Sequence, residues 1–234
     1  MPIPTHAARL QTRAIAARSL RAGLTLATAP LALAAVGALA IGFAASVEGA
    51  RPSAIASVDV PKAAVGTYDV DLAHSTVGFK IKHLDVAYQL GRFDKFSGKV
   101  VLGATPAESS VSIELDAASV NSNNAQRDEH LRSQDFLNAK QFPAASFKST
   151  KVAAKDADTF TVTGDLDLHG VKKAVTFDID FLGAKDAGER FGFKAGFYGE
   201  LTINRRDFGI DTYPNEVLSD SIELTFAIET NKQK

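Results

Sequence analysis

The feature that most constrains this chain is a hydrophobic pattern of period two, repeated from residue 67 to the end. Val77, Phe79 and Ile81 alternate with Gly78, Lys80 and Lys82. Val111, Ile113 and Leu115 alternate with Ser112 and Glu114. Phe160, Val162, Leu166 and Leu168 do so with Thr161, Thr163, Asp165 and Asp167, and Val175, Phe177, Ile179 and Phe181 with Thr176, Asp178 and Asp180. The last such run is Ile222, Leu224, Phe226 and Ile228. Each run reads as a strand with one apolar and one wet face. Strands of that kind belong to antiparallel sheets, because parallel strands are usually covered on both sides. The runs predict about eight strands: 67–71 joined to 75–84, then 88–103, 109–116, 145–152, 158–168, 171–183, 191–204 and 220–230. So many amphipathic strands must hide one face and both edges. An all-β, about eight-stranded antiparallel up-and-down barrel does both.

One stretch breaks the pattern. RDEHLRSQDFL, Arg127 to Leu137, crowds three acids against two arginines and a histidine. It predicts one short helix at about 125–138, capped by Asn123 or Asn124, with Asp128 and Glu129 in its first turn and Pro143 beyond its end. Asp128 and Arg132 are four apart and can pair for a few tenths of a kcal/mol. Leu131, Phe136 and Leu137 would dock the helix on the barrel. Two readings stay open: a helix whose charges are paired or solvated, and one that turns Arg127, His130 and Arg132 toward the polar end of a ligand.

The first 56 residues differ in kind. Arg9, Arg13, Arg18 and Arg21 precede a charge-free run from Ala22 to Val47, and Ala54-Ile55-Ala56 follows. A basic start, an apolar stretch and a small-residue site describe an export signal. The run is longer than the usual ~7–15 residues and reaches the ~20 that span a bilayer, so an uncleaved N-terminal membrane anchor is the alternative. Pro30, Gly37 and Gly42 interrupt the run and favour cleavage. Residues 57–66 read as a linker and 67–234 as the barrel, in an exported protein. Residues 1–56 hold five Arg and one Glu, so the remainder carries a net charge of −5. A mildly acidic body without a basic stripe argues against a nucleic-acid partner. The chain has no cysteine, which excludes thiol chemistry and disulfides.

Motifs for chemistry are missing. There is no Gly-x-Ser-x-Gly elbow, no phosphate-binding Gly-x-x-x-x-Gly-Lys and no His-Glu-x-x-His. His74, His83, His130 and His169 are not spaced three or four residues apart. The sequence therefore predicts no cofactor, no metal and no catalytic residue. His74 and His169 read as turn residues. His83 shares the parity of Phe79 and Ile81 and should face inward near a strand end, either as a core histidine or as a polar contact at the barrel mouth. The chain has 15 Phe and no Trp. Such rings either line a hydrocarbon tunnel or simply fill a core.

Five segments carry a resemblance: YDVDLAHSTVGFKIKHL (68–84), GRFDKFSGKV (91–100), NAQRDEHLRSQDFLNAKQFPAASFKST (124–150), GDLDLHGVKKAVTF (164–177) and INRRDFGI (203–210). Together they make the chain resemble the YceI-like family of bacterial proteins. The resemblance implies a lipocalin-like barrel, usually a homodimer and usually periplasmic, that encloses a polyisoprenoid or a fatty-acid-type lipid. It implies no catalytic reaction. Parity and motif position then select Phe79, Ile81, Phe93, Phe96, Phe147, Phe177, Phe193, Phe197 and Phe226 for the tunnel. His83, Arg127, His130, Arg132, Asn204 and Arg206 are selected for its mouth. The rival readings are a lipid-acting enzyme using His83 or His130 as base, and a filled, ligand-free barrel.

Overall fold

The computed structural model describes residue 58 and residues 60–234. The export signal or anchor read at 1–56 lies outside the described residues. The strands are β1 (Gly66–Val70), β2 (Thr76–His83), β3 (Ala87–Phe93), β4 (Phe96–Leu102), β5 (Ser110–Asp116), β6 (Val120–Asn121), β7 (Ala144–Ala154), β8 (Thr159–Leu168), β9 (Val171–Asp186), β10 (Phe193–Asn204) and β11 (Leu218–Lys232). The one α-helix among the described residues is α1 (Ala125–Arg132).

Eight strands close a ring in the order β1-β4-β5-β7-β8-β9-β10-β11, with β11 pairing back onto β1. Every pairing is antiparallel. Closure comes from the length of β11. Its Thr230–Lys232 end pairs with β1, and its Leu218–Ala227 stretch pairs with β2. β1 and β2 thus act as one strand broken at Asp71–Ser75. β3 and β4, paired with β2 and β1, act as one strand bent at Asp94–Lys95. Both joins match the sequence expectation, which ran 67–71 into 75–84 and left 88–103 whole.

The hairpins sort the connections into two ends. Residues 84–86, 117–143, 169–170 and 205–217 lie at one end, which is the mouth. Residues 61–65, 103–109, 155–158 and 187–192 lie at the other. Of the segment read as a linker, the part next to β1 is folded. Lys62–Ala64 form a 3-10 turn, Ala64 is buried, and the Tyr68 hydroxyl donates to its carbonyl at 2.6 Å.

The helix is shorter than the 125–138 expected. Asn124 caps it, its Oδ1 accepting from Arg127 N at 3.0 Å. Ser133 is extended, and Asn138 takes a positive φ of 44°. The chain folds back so that Leu137 N and Ala139 N donate to the carbonyls of Leu131 and Arg132, both at 3.0 Å. Capping in this way ends the helix six residues early. Asp128 does not pair with Arg132. It is buried instead, and accepts from the backbone N–H of Ser122 at 2.7 Å and from its hydroxyl.

Candidate functional site

The ring encloses a cavity of about 540 Å³. That lies within the ~300–1,000 Å³ typical of small-molecule sites. Its wall is almost wholly apolar and follows directly from the period-two pattern. β2 supplies Val77, Phe79, Ile81 and His83, and β11 supplies Ile222, Leu224, Phe226 and Ile228. Aromatic rings line it as a row of three and a separate pair. Phe147 and Phe177 are 5.2 Å apart between centroids, Phe177 and Phe226 5.6 Å, and Phe79 and Phe93 5.9 Å. Such tilted and edge-on pairs suit the ring quadrupoles. Gly91 lies opposite Phe79 on β3, and a Cβ there would come within 2.2 Å of the ring. The glycine lets the phenyl lie across the neighbouring strand.

Seven of the nine residues predicted for the tunnel line this cavity: Phe79, Ile81, Phe93, Phe147, Phe177, Phe197 and Phe226. Phe96 and Phe193 do not. Phe96 opens β4 just past the Asp94–Lys95 bend and is buried in the core cluster away from the cavity wall. Phe193 opens β10 beyond the closed end of the cavity, with the Lys232 ammonium 5.1 Å from its ring. Both have the inward parity. Depth along the strand excludes Phe193, whereas Phe96 lies at the depth of its cross-strand partner Leu115, which is on the cavity wall, and misses the cavity beside the Asp94–Lys95 bend.

The mouth holds the arginines and histidines of the wall, while Ser109 and Ser110 lie at the other end. His83, Arg127 and His130 line the cavity there. Arg127 donates to Gln89 Oε1 at 2.9 Å, to the Ser122 hydroxyl at 2.7 Å and to the Ser122 carbonyl at 2.6 Å. A guanidinium has five donors, so two are left over, and Arg127 makes no ion pair among the described residues. His130 pairs through Nε2 with Asp135 at 3.0 Å and meets Phe136 edge-on.

The other three residues selected for the mouth do not line the cavity. Arg132 borders a shallow surface hollow with Asp94 and Asn121, outside the barrel. Asn204 caps the 3-10 turn Arg205–Phe208 by accepting from Arg206 N at 2.9 Å. Arg206 is drawn outward by Asp220, at 2.7 Å.

The sequence reading missed Arg205, Gln89, Ser122 and Tyr213, all on the cavity wall. Arg205 was findable, because it continues the inward parity of Leu201 and Ile203. Its side chain is 1% exposed. Five carbonyls accept from it: Ser219 (3.0 Å), Ile210 (2.7 Å), Thr212 (2.9 Å), Tyr213 (2.7 Å) and Leu218 (3.0 Å). Asp220 lies 2.9 Å away. Its donors are spent on the protein, so Arg205 clamps the 210–219 loop over the mouth and has little left for a ligand. Burial pushes its pKa down, and Asp220 opposes that shift.

A second polar cluster sits elsewhere. Ligand-type atoms of Asp71, His74 and Glu229 fall within 4.8 Å of one another. The Lys194 ammonium already lies among them, 2.8 Å from Asp71 and 3.1 Å from Glu229. It holds the Asp71 carboxyl far below the usual carboxylate range. The cluster is an ion-pair network that pins the β1–β2 break to β10 and β11.

An antiparallel barrel of eight strands around one apolar cavity, with its arginines and histidines at one end, defines a lipocalin-like barrel. Residues 68–230 match the model of the YceI-like domain. The chain belongs to the YceI-like family. It is 39% identical over 168 residues to a UPF0312 protein of Shewanella denitrificans, covering 70% of this chain and 86% of that one. Among solved structures it is similar to the Campylobacter jejuni YCEI protein. There the TM-score is 0.60 at 34% identity, over 70% of this chain and 96% of that one. It shares its fold with a polyisoprenoid binding domain from Saccharophagus degradans. That match has a TM-score of 0.55 at 16% identity, over 71% of this chain and 98% of that one.

Proposed function

We propose that the protein is an exported carrier that holds one long-chain amphipathic lipid, of polyisoprenoid type, in the barrel. The observation that carries this reading is the apolar cavity of about 540 Å³. A filled, ligand-free barrel would leave no such space. An apolar cavity of ~150 Å³ holds one benzene ring. By that ratio 540 Å³ takes roughly twenty chain carbons, or about four isoprene units. At ~0.8 kcal/mol per buried methylene the gross gain is roughly 16 kcal/mol, from which ordering costs subtract. Micromolar or tighter affinity then needs no strong polar contact.

The head group sits at the mouth. Arg127 brings an unpaired positive charge and two unused donors to the end of the apolar wall, which suits a phosphate or carboxylate. His83 and Gln89 add polar contacts. Support for binding over catalysis comes from the two histidines. His130 is tied to Asp135, and no side-chain nucleophile is hydrogen-bonded to His83 or His130 among the described residues. Export to the periplasm is part of the proposal, and it is supported by the Arg-rich start and apolar run of residues 1–56.

The test is extraction. Protein purified from its native host is extracted with organic solvent, and mass spectrometry is run on the extract and on the intact protein. A stoichiometric polyprenyl lipid is the expected result. A well-folded protein that yields no lipid and takes up none from added polyprenyl phosphate would refute the carrier reading. The intact mass also tests export, since cleavage removes about the first 56 residues.

A further inference from the structure

Six non-glycine residues among those described have φ in the left-handed region. Four are of types that tolerate it: Asp85, Asn123, Asn138 and His169. The other two are Leu84 at 51° and Tyr213 at 67°. Bulky side chains are outliers in that region, and such strain persists where something other than stability keeps the residue. Both residues are at the cavity mouth, and both are exposed where burial cannot repay the strain. Leu84 is at the β2–β3 turn, where Val86 N donates to the His83 carbonyl and Leu84 N to the Val217 carbonyl. A tight turn of this kind favours Asn or Gly in left-handed positions. Here it presents Leu84 at 50% exposure and Val86 at 82%. Tyr88 and Leu90 continue the apolar strip on the outer face of β3, with the Lys80 ammonium 5.3 Å from the Tyr88 ring. On the neighbouring 205–217 connection, Tyr213 both lines the cavity and reaches solvent.

We propose that this apolar rim is a membrane-docking surface: Leu84 and Val86 insert into a lipid bilayer and bring the cavity mouth against it. The proposal rests on the carrier reading, because a cargo of some twenty carbons is held by the bilayer and must reach the cavity without crossing water. Three observations favour a lipid surface over a second copy. The strip is contiguous with the mouth, as a loading device must be. Its apex is one turn, in which the carboxylate of Asp85 between Leu84 and Val86 is paired with Lys82 at 2.9 Å, whereas a stable dimer needs ~800 Å² of surface from each partner. Its tyrosines flank the apex, and rings with one apolar and one polar end belong at the depth of lipid head groups.

The absence of cysteine allows a clean test in the full chain. An environment-sensitive dye is attached to Val86→Cys. A control carries it on Ala107→Cys, an exposed residue at the opposite end of the barrel. Vesicles of phosphatidylethanolamine and phosphatidylglycerol are added. The dye at 86 is expected to shift to the blue and brighten several-fold, and the dye at 107 to stay unchanged. This site-specific signal reports the turn itself, whatever residues 1–56 do on the vesicle. Leu84→Asn with Val86→Ser should slow uptake of a fluorescent polyene fatty acid from vesicles at least tenfold. It should leave affinity for the same fatty acid in solution within twofold. Leu84→Asn alone should raise Tm, because Asn accepts the left-handed backbone. Equal signals from 86 and 107, with solution binding intact, would overturn docking and leave the carrier reading standing. Loss of solution binding in the wild-type chain would sink the carrier reading instead. A dye at 86 that shifts without vesicles as protein concentration rises, with matching dimerisation by light scattering, would assign the rim to a second copy and overturn the membrane proposal.

Discussion

Replacing Phe226 by Trp should shorten the chain that the barrel accepts. Phe226 lies on the cavity wall 5.6 Å from Phe177. Indole carries three more heavy atoms than phenyl. One benzene ring per ~150 Å³ of cavity is ~25 Å³ per atom, so the substitution removes roughly 75 Å³ from the interior, or about three chain carbons. At ~0.8 kcal/mol for each methylene left outside, a ligand that just fills the wild-type cavity loses about 2.4 kcal/mol, roughly 60-fold in Kd. A ligand about three carbons shorter should bind both proteins alike. The assay is displacement of a fluorescent fatty acid by a series of saturated acids of increasing length. Circular dichroism confirms the fold, and Leu182→Trp on the exposed outer face serves as a control. The optimum should move down by about three carbons in Phe226→Trp and stay fixed in the control. An unmoved optimum in a folded Phe226→Trp protein would refute the assignment of this cavity as the chain site.

Three further outcomes are expected. Arg205→Met strands five carbonyls and leaves Asp220 with Arg206 alone; acceptors left unsatisfied in this way cost about 1–3 kcal/mol each, seen as a Tm drop of roughly 10 °C, and an unchanged Tm would show that the clamp is not structural. Arg127→Gln should weaken binding of a polyprenyl phosphate about 10- to 100-fold, from the loss of charge-assisted hydrogen bonds. It should leave the corresponding alcohol unaffected, and equal losses for both would remove Arg127 from the head-group site. Asp71→Asn should lower Tm at pH 7. The folded Asp71 pKa is depressed by Lys194, so its contribution is present above the unfolded value near ~4 and fades as pH falls below it. The gap between wild type and Asp71→Asn should therefore close below about pH 4, and a constant gap down to pH 2 would contradict the pairing.

The sequence by itself determined the barrel. Period two over successive runs sets which side chains face inward, and antiparallel amphipathic strands have few ways to bury one face and lose both edges. The same parity placed Phe79, Ile81, Phe147, Phe177 and Phe226 on the inner wall, and it would have placed Arg205 there had the alternation been carried past Ile203. Parity says nothing about depth or about a bend in a strand, so Phe193 at the end of β10 and Phe96 beside the Asp94–Lys95 bend share the inward register and miss the cavity. Local pattern also failed in RDEHLRSQDFL. The spacing of Asp128 and Arg132 suits an exposed helical pair, but the helix lies against β6 and its chain folds back. That buries Asp128 on Ser122 and turns Arg132 outward.

Only the tertiary structure decided that the barrel is hollow. The fourteen phenylalanines of residues 67–234 are equally compatible with a filled core and a lined cavity, because composition fixes the volume of the side chains but not that of the ring enclosing them. The circumference is set by closure, when the far end of β11 pairs with β1 after its near end has paired with β2. Closure likewise gathers Gln89, Ser122, Arg127 and Arg205 at one end from separate segments of the chain. Their grouping depends on strand register across the sheet, and no local run of residues encodes it.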